Sequence, residues 1–260
     1  MSNDSVNPSA RQLLTLAWPI IISRSAQTVI SVSDAFMVAP LGEEALAATT
    51  TGALNVFGLF ILPMGTAFII SSFAAQLFGR GDHGGARRYG FYGVIFSLLL
   101  EILFLAFVGV VPNLIGKLDY SPGVANLMTQ YCEVRLISGG AAIGLEALGN
   151  YYGGIGNTRL PMVLQIVCMV LNVVLNWVLI YGHFGAPAMG VKGAALASTI
   201  ATCISFAILL LCFLQGIGAE PTARKHLGSL RWTEFVRMLR FGFPSGINWF
   251  VEFAAFSLFV

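Results

Sequence analysis

The fold class this 260-residue sequence predicts is all-α, a polytopic membrane helix bundle, and three observations predict it. Hydrophobic residues make up 57% of the chain and charged residues 10%, whereas about a quarter of a soluble domain is charged. Mean hydropathy is +0.81. Apolar windows of about 20 residues, long enough to cross hydrocarbon, recur along the sequence. An offset of 225 residues also lays Leu16-Ala17-Trp18-Pro19 on Phe241-Gly242-Phe243-Pro244, Leu14 on Leu239 and Gln27 on Glu252, as a repeated bundle would.

Residues 1–12 read as a polar leader. No removable signal peptide is expected, because the first apolar run is too long and lacks a small-residue cleavage site. Windows at 13–39, 50–78, 89–112, 124–148, 161–181 and 191–215 then predict six spans within 13–215. The third is broken only by Glu101, and the fifth opens at Pro161, a residue suited to a first helical turn. Residues 216–240, with Pro221 and five basic side chains, form the longest polar stretch and predict an inter-lobe linker. A seventh apolar run starts at Phe241 and ends unfinished at Val260. Six intervening spans is an even number, so the second copy enters the membrane in the same direction as the first, giving a parallel repeat. Residues 241–260 are therefore expected to be the truncated first helix of a second lobe.

Basic residues set the expected orientation. With the N-terminus cytoplasmic, inner segments hold Arg11, Arg80, Arg87, Arg88, Arg159, Arg224, Lys225, Arg231, Arg237 and Arg240, while outer loops hold only Lys117 and Lys192. The leader and the linker are then both cytoplasmic.

Several function classes fall away. A net charge of +2 and the lack of any basic run interleaved with aromatics exclude nucleic acid as a partner. Cys132, Cys168, Cys203 and Cys212 lie in apolar stretches without metal-ligand spacing and read as core residues. An integral membrane hydrolase or acyltransferase is disfavoured: His83, His183 and His226 fall in expected loops, and no span pairs a serine with a histidine. The glycine-rich run 79–85 lacks the strand and the Gly-Lys-Ser/Thr ending of a phosphate loop, and reads as a turn. Gly140 with Gly144, Gly149 with Gly153, and Gly242 with Gly246 are spaced for close helix packing.

The residues that could carry chemistry are polar ones inside apolar windows. A charged side chain in hydrocarbon costs about 2.5–3.5 kcal/mol on insertion scales, so it persists where it handles ions or substrate. Counting helical rise places Asp34, Asn176, Ser198 and Thr199 about 8–14 Å below the outer surface, with Asn172 one turn deeper than Asn176 on the same face. A carboxylate among amides and hydroxyls can hold Na⁺ or take a proton, and either event neutralises it. Pro19 supplies a point of weakness in the first span, and Pro244 repeats it in the seventh, eight residues before Glu252, a second candidate ion ligand. Arg24, Glu101, Glu133 and Arg135 are expected to form internal ion pairs, such as Arg24 with Glu101 or Glu133, and Glu146 to face water near the end of the fourth span.

The segments LAWPIIISRSAQTVISVSDAFMVAPLG, AAQLFGRGD, GNTRLPMVLQIVCMVLNVVLNWVLIYGHFGAPAMGVKGAALAST and LRFGFPSGINWFVEF resemble the multidrug and toxic compound extrusion (MATE) family, and its NorM-like bacterial branch in particular. The resemblance covers nearly all of the chain. It implies a six-helix N-lobe plus the start of a second lobe, the rest of which is missing, in a bacterial inner-membrane antiporter. It further implies exchange of H⁺ or Na⁺ for bulky, often cationic organic compounds by alternating access, with no cofactor and with lipids as surroundings. It maps Asp34 onto the family's first-helix carboxylate, Asn172 and Asn176 onto its fifth-helix polar pair, Ser198 or Thr199 onto its sixth-helix hydroxyl, and Glu252 onto its seventh-helix glutamate. Some members carry aspartate where Asn176 stands. The alternative within the superfamily is a flippase of lipids or lipid-linked oligosaccharides, which would require a more basic cavity than this sequence offers.

Overall fold

In a computed structural model of the chain, residues 10–221 and 229–259 are described, with side chains over 14–221 and 229–257. Residues 1–9 of the leader, Arg224, Lys225, His226 and Val260 lie outside that range. Among the described residues the fold is helical with no strand.

Helix α1 (Ala10–Val38) carries the first window and runs unbroken through Pro19. A 3₁₀ turn, Ala39–Leu41, and Gly42, at φ 109°, reverse the chain into α2 (Glu43–Ala67). That helix starts earlier than the window at 50 because Glu43 and Glu44 occupy its first turn, where the helix dipole favours acids. After Phe68 it continues as α3 (Ile69–Gly79). The glycine-rich run is indeed a turn: Gly81 takes φ 80°, and the Asp82 carboxylate accepts the Gly85 N–H at 2.7 Å, capping α4 (His83–Val108). A short α5 (Val111–Ile115) follows.

The fourth window is not one helix. It divides into α6 (Pro122–Leu136), capped by Ser121, and α7 (Gly139–Gly154), which extends well beyond the expected end at 148. The fifth and sixth windows are α8 (Arg159–Tyr181) and α9 (Gly190–Gln215), each closed by a left-handed glycine, Gly182 and Gly216. The last helix, α10 (Trp232–Phe259), begins at Trp232 rather than Phe241. Residues 232–240 look polar in sequence but are amphipathic: Phe235 and Met238 are buried, while Glu234 pairs with Arg88.

By length and composition alone, Glu43–Gly79, His83–Val108, Arg159–Tyr181 and Gly190–Gln215 can each cross a membrane. α1 and α10 are less apolar than these, and the break in the fourth window leaves two helices each too short.

The packing has two apolar centres at opposite ends of the bundle. One gathers Val38, Phe60, Phe104, Met128, Tyr131 and Ile180, and the other Ile70, Tyr92, Leu148, Tyr151, Phe213 and Met238. In the second centre the Arg87 guanidinium donates to the Phe213 and Leu214 carbonyls, both at 2.9 Å, and so caps the end of α9 from inside the bundle.

Small residues let α2 and α10 cross closely. A Cβ at Gly65 would stand 2.8 Å from the Gly246 Cα, and one at Gly246 would overlap the Leu62 carbonyl and Thr66. Gly140 and Gly144 are also tight, against Ser97 and Phe206. Gly149 and Gly153 are not the close contacts their spacing predicts, since a Cβ at Gly153 meets nothing within 4 Å and one at Gly149 only ordinary contact with Pro161.

Accordingly, Gly246→Leu should cost about 1–3 kcal/mol by overpacking the crossing. Gly153→Ala should hold or raise stability by up to about 1 kcal/mol. Thermal unfolding of the detergent-solubilised variants checks both.

Candidate cation site

Two local features aim polar groups at one point. Asn172 and Asn176, one turn apart, share the face of α8 that packs on α1, and both are buried. The Tyr181 hydroxyl donates to the Met37 carbonyl at 2.6 Å, pinning the end of α1 to the end of α8 and setting their register.

Asp34 of α1 is 7% exposed. Its Oδ1 accepts from Asn176 Nδ2, and its Oδ2 from Ser198 Oγ at 3.1 Å. Asn172 Nδ2 donates to Ser198 Oγ at 2.8 Å, and Asn172 Oδ1 accepts from Asn176 Nδ2 at 3.3 Å. Three helices thus close a ring of hydrogen bonds around one carboxylate. One atom stands outside it: Asn176 Oδ1 is buried and has no hydrogen-bond partner. An unpartnered acceptor beside a carboxylate is a costly combination, and a bound cation would satisfy both. One carboxylate with otherwise neutral oxygens balances a single positive charge.

The structure separates the two candidate hydroxyls of α9. Ser198 reaches Asp34, whereas Thr199 turns to α6, donating to the Val134 carbonyl at 3.0 Å and lying 3.5 Å from Ser138 Oγ. Glu252 is not brought to this site. It is exposed on α10 and accepts from Asn248 Nδ2 at 2.8 Å.

The expected ion pairs are rearranged. Arg24 pairs with Glu146 at 3.0 Å, not with Glu101 or Glu133. Glu146, expected to face water near the end of the fourth window at 148, instead lies at mid-helix beside α1, because α7 runs on to Gly154. Glu101 accepts the Gly140 N–H and so caps the start of α7. Arg135 Nη1 donates to Ser138 Oγ at 3.1 Å; it acts electrostatically on Asp34 but forms no ion pair with it among the described residues. Pro19 is buried, and its carbonyl accepts Ser23 Oγ at 2.9 Å, a side-chain bond that tends to bend helices. Pro244 lies inside α10 between Gly242 and Gly246 at the α2 crossing.

Sequence reasoning missed Ser138, Tyr181 and Glu146. The Arg135-x-x-Ser138 spacing was a usable signal for the first, since residues three apart meet on a helix.

Comparison with known proteins completes the picture. The MatE family model matches residues 19–178. A probable multidrug resistance protein NorM of Neisseria meningitidis serogroup B is 31% identical over 257 residues, covering 96% of this chain and 55% of the relative. Multidrug resistance protein NorM of Vibrio cholerae serotype O1 is 26% identical over 250 residues, with 96% and 55% covered. The chain spans about half the length of the curated relatives it matches. Among solved structures, an outward-facing multidrug resistance MATE family transporter of the MOP superfamily superposes with a TM-score of 0.79 at 23% identity, covering 92% of this chain and 52% of the other. At that identity the likeness concerns the fold.

If Asp34, Asn176 and Ser198 form one cation site, Ser198→Ala should weaken any shift of the melting temperature produced by Na⁺ or by lowered pH, while Thr199→Val should leave that shift intact. Differential scanning fluorimetry across a Na⁺ and pH matrix reads the difference, which for one lost oxygen partner should be about 3- to 10-fold in apparent cation affinity.

Proposed function

The chain belongs to the MATE family, a family of transporters and not enzymes, and from that premise we propose that it forms one lobe of a multidrug efflux antiporter. In this reading a cation bound at Asp34, H⁺ or Na⁺, drives the export of bulky organic cations by alternating access. The observation that carries the reading is the buried Asp34 carboxylate beside the unpartnered Asn176 Oδ1.

The proposed cycle begins with the ring of bonds intact and Asp34 charged. Arrival of a cation neutralises the carboxylate and removes its need for two donors. Rotation of the Asn176 amide then brings Oδ1 toward the cation or the acquired proton, which relieves the orphaned acceptor. With one of its ties to α8 and α9 altered, α1 repacks, and Pro19 is its most compliant point. Coupling requires the cation to prefer one arrangement of α1 over the other, because equal affinity for both would shift nothing.

The finer parts of the proposal follow from charge. The excess of arginine and lysine on the leader and on the segments that follow the even-numbered crossings supports a cytoplasmic N-terminus in a bacterial inner membrane. A second lobe, for which relatives of about twice this length have room, would complete the substrate cleft and surround Glu252, a second carboxylate available to a cation or to a cationic substrate. A flippase of anionic lipid-linked sugars has less support, because the two arginines within the spans are engaged, Arg24 by Glu146 and Arg135 by Ser138.

The test is ion-driven efflux of a cationic dye from cells expressing the protein as its gene encodes it. Asp34→Asn should lower the efflux rate by about tenfold or more at unchanged protein abundance, corresponding to at least about 1.4 kcal/mol of lost coupling. Normal efflux by that variant would remove Asp34 from the mechanism. Imposing a Na⁺ gradient and a pH gradient separately on everted vesicles identifies the ion.

A further inference from the structure

At the end of the bundle remote from Asp34, where α3 stops and α4 starts, lies a polar cavity of about 180 Å³ that the cation site does not use. Gln76, Arg80, Arg88, Tyr89, Glu234 and Arg237 contribute its polar lining. Glu234 is already engaged: it accepts Arg88 Nε at 3.1 Å and the Tyr92 hydroxyl at 2.9 Å. Arg80 and Arg237, both exposed, form no ion pair among the described residues. The pocket therefore carries an excess of two positive charges in fork-shaped donors suited to a phosphate.

Its position selects the kind of phosphate. Arg80 directly follows the apolar run Glu43–Gly79, and Arg88 sits in the early turns of His83–Val108, so the pocket lies at the membrane boundary. Phe73 and Leu77 form its apolar side, and Phe73 is stacked on Tyr89 at 4.5 Å between ring centroids. The volume is well below the roughly 300–1,000 Å³ of sites for drug-sized ligands. It suits a headgroup phosphate whose acyl chains leave along the apolar wall.

We propose that this pocket binds the phosphate of an anionic phospholipid, held by Arg80 and Arg237, with the acyl chains passing along Phe73 and Leu77 into the bilayer. Basic pockets between spanning helices on one membrane face are chemically suited to such headgroups. Because Arg80 ends the α2–α3 run and Arg237 belongs to α10, the headgroup would tie the first six spans to the helix that follows them. This inference is independent of the transport reading.

Native mass spectrometry of the whole protein in detergent, titrated with phosphatidylglycerol and with phosphatidylcholine, tests it. Phosphatidylglycerol should bind at least tenfold more tightly. Each arginine should contribute about fivefold, so Arg80→Gln or Arg237→Gln alone should reduce that affinity by about fivefold and the two together by about 25-fold, while Arg159→Gln, a charge change equal to either single variant but away from the pocket, should not. Equal retention of the two lipids by the unmodified protein overturns the proposal, and that arm needs no variant to fold. Equal loss in the Arg159→Gln control overturns it as well, since the attraction would then be general to the surface. Inorganic phosphate should compete only weakly; if it binds as tightly as the lipid, the pocket is a site for free phosphate and the lipid assignment fails.

Discussion

The structure turns on one constraint: a carboxylate buried between packed helices must find its hydrogen-bond donors among neighbouring side chains. Asp34 meets that constraint through side chains from two other helices, Asn176 of α8 and Ser198 of α9. The demand fixes more than a site. It dictates which faces of α8 and α9 look toward α1, and the Tyr181 bond to Met37 holds the same register from the helix ends. A rotation of α8 that moved Asn176 away would leave both a charge and an amide unsatisfied at once.

The same constraint bears on Glu101, Arg135 and Arg87, and it does so through helix ends instead of ion pairs. Breaking the fourth span at Ile137–Ser138 exposes backbone amides and carbonyls that a continuous helix would have consumed. Glu101 takes the Gly140 amide at the start of α7, and Arg135 stands in the last turn of α6, so each charge sits at the helix end whose dipole favours it. Arg87 serves the end of α9 likewise, with its guanidinium also 5.3 Å from the centre of the Phe213 ring. Only Arg24 and Glu146 answer each other directly among these groups.

This accounts for what could and could not be read from the residues alone. The meeting of Asp34 with Asn172 and Asn176 was legible, because depth along a helix follows from a fixed rise per residue and the two asparagines are one turn apart. Four of the windows translated into helices long and apolar enough to cross a membrane for the same reason, apolar length being a property of sequence. The choice of Ser198 over Thr199 was not legible, since it depends on how α9 is rotated about its axis, and that is set by packing of Gly193 and Ala194 against α8 and the core. Partners for Arg24 and Glu101 were missed because the break in the fourth span leaves no strong mark: Ile137 and Ser138 are ordinary helix residues, and the cause of the break is tertiary. The early start of α10 was hidden by its charges, which become intelligible only once Arg88 and Tyr92 are seen to hold Glu234.

The choice of α1 as the moving part of the proposed cycle follows from how it is held. It packs mainly on α8, touches α2 and α9 far less, and its specific ties are the Arg24–Glu146 pair, the Tyr181–Met37 bond and the ring around Asp34. Neither the tyrosine bond nor the Arg24–Glu146 pair involves the Asp34 carboxylate. The ring does change, because a neutralised carboxylate no longer outbids other acceptors for the Asn176 amide. Cation binding in the proposed cycle would therefore alter one tie of α1 and spare the others. A site that acted equally on all three ties would loosen the helix wholesale; acting on one, it can bias the helix between two packed positions without giving up the fold.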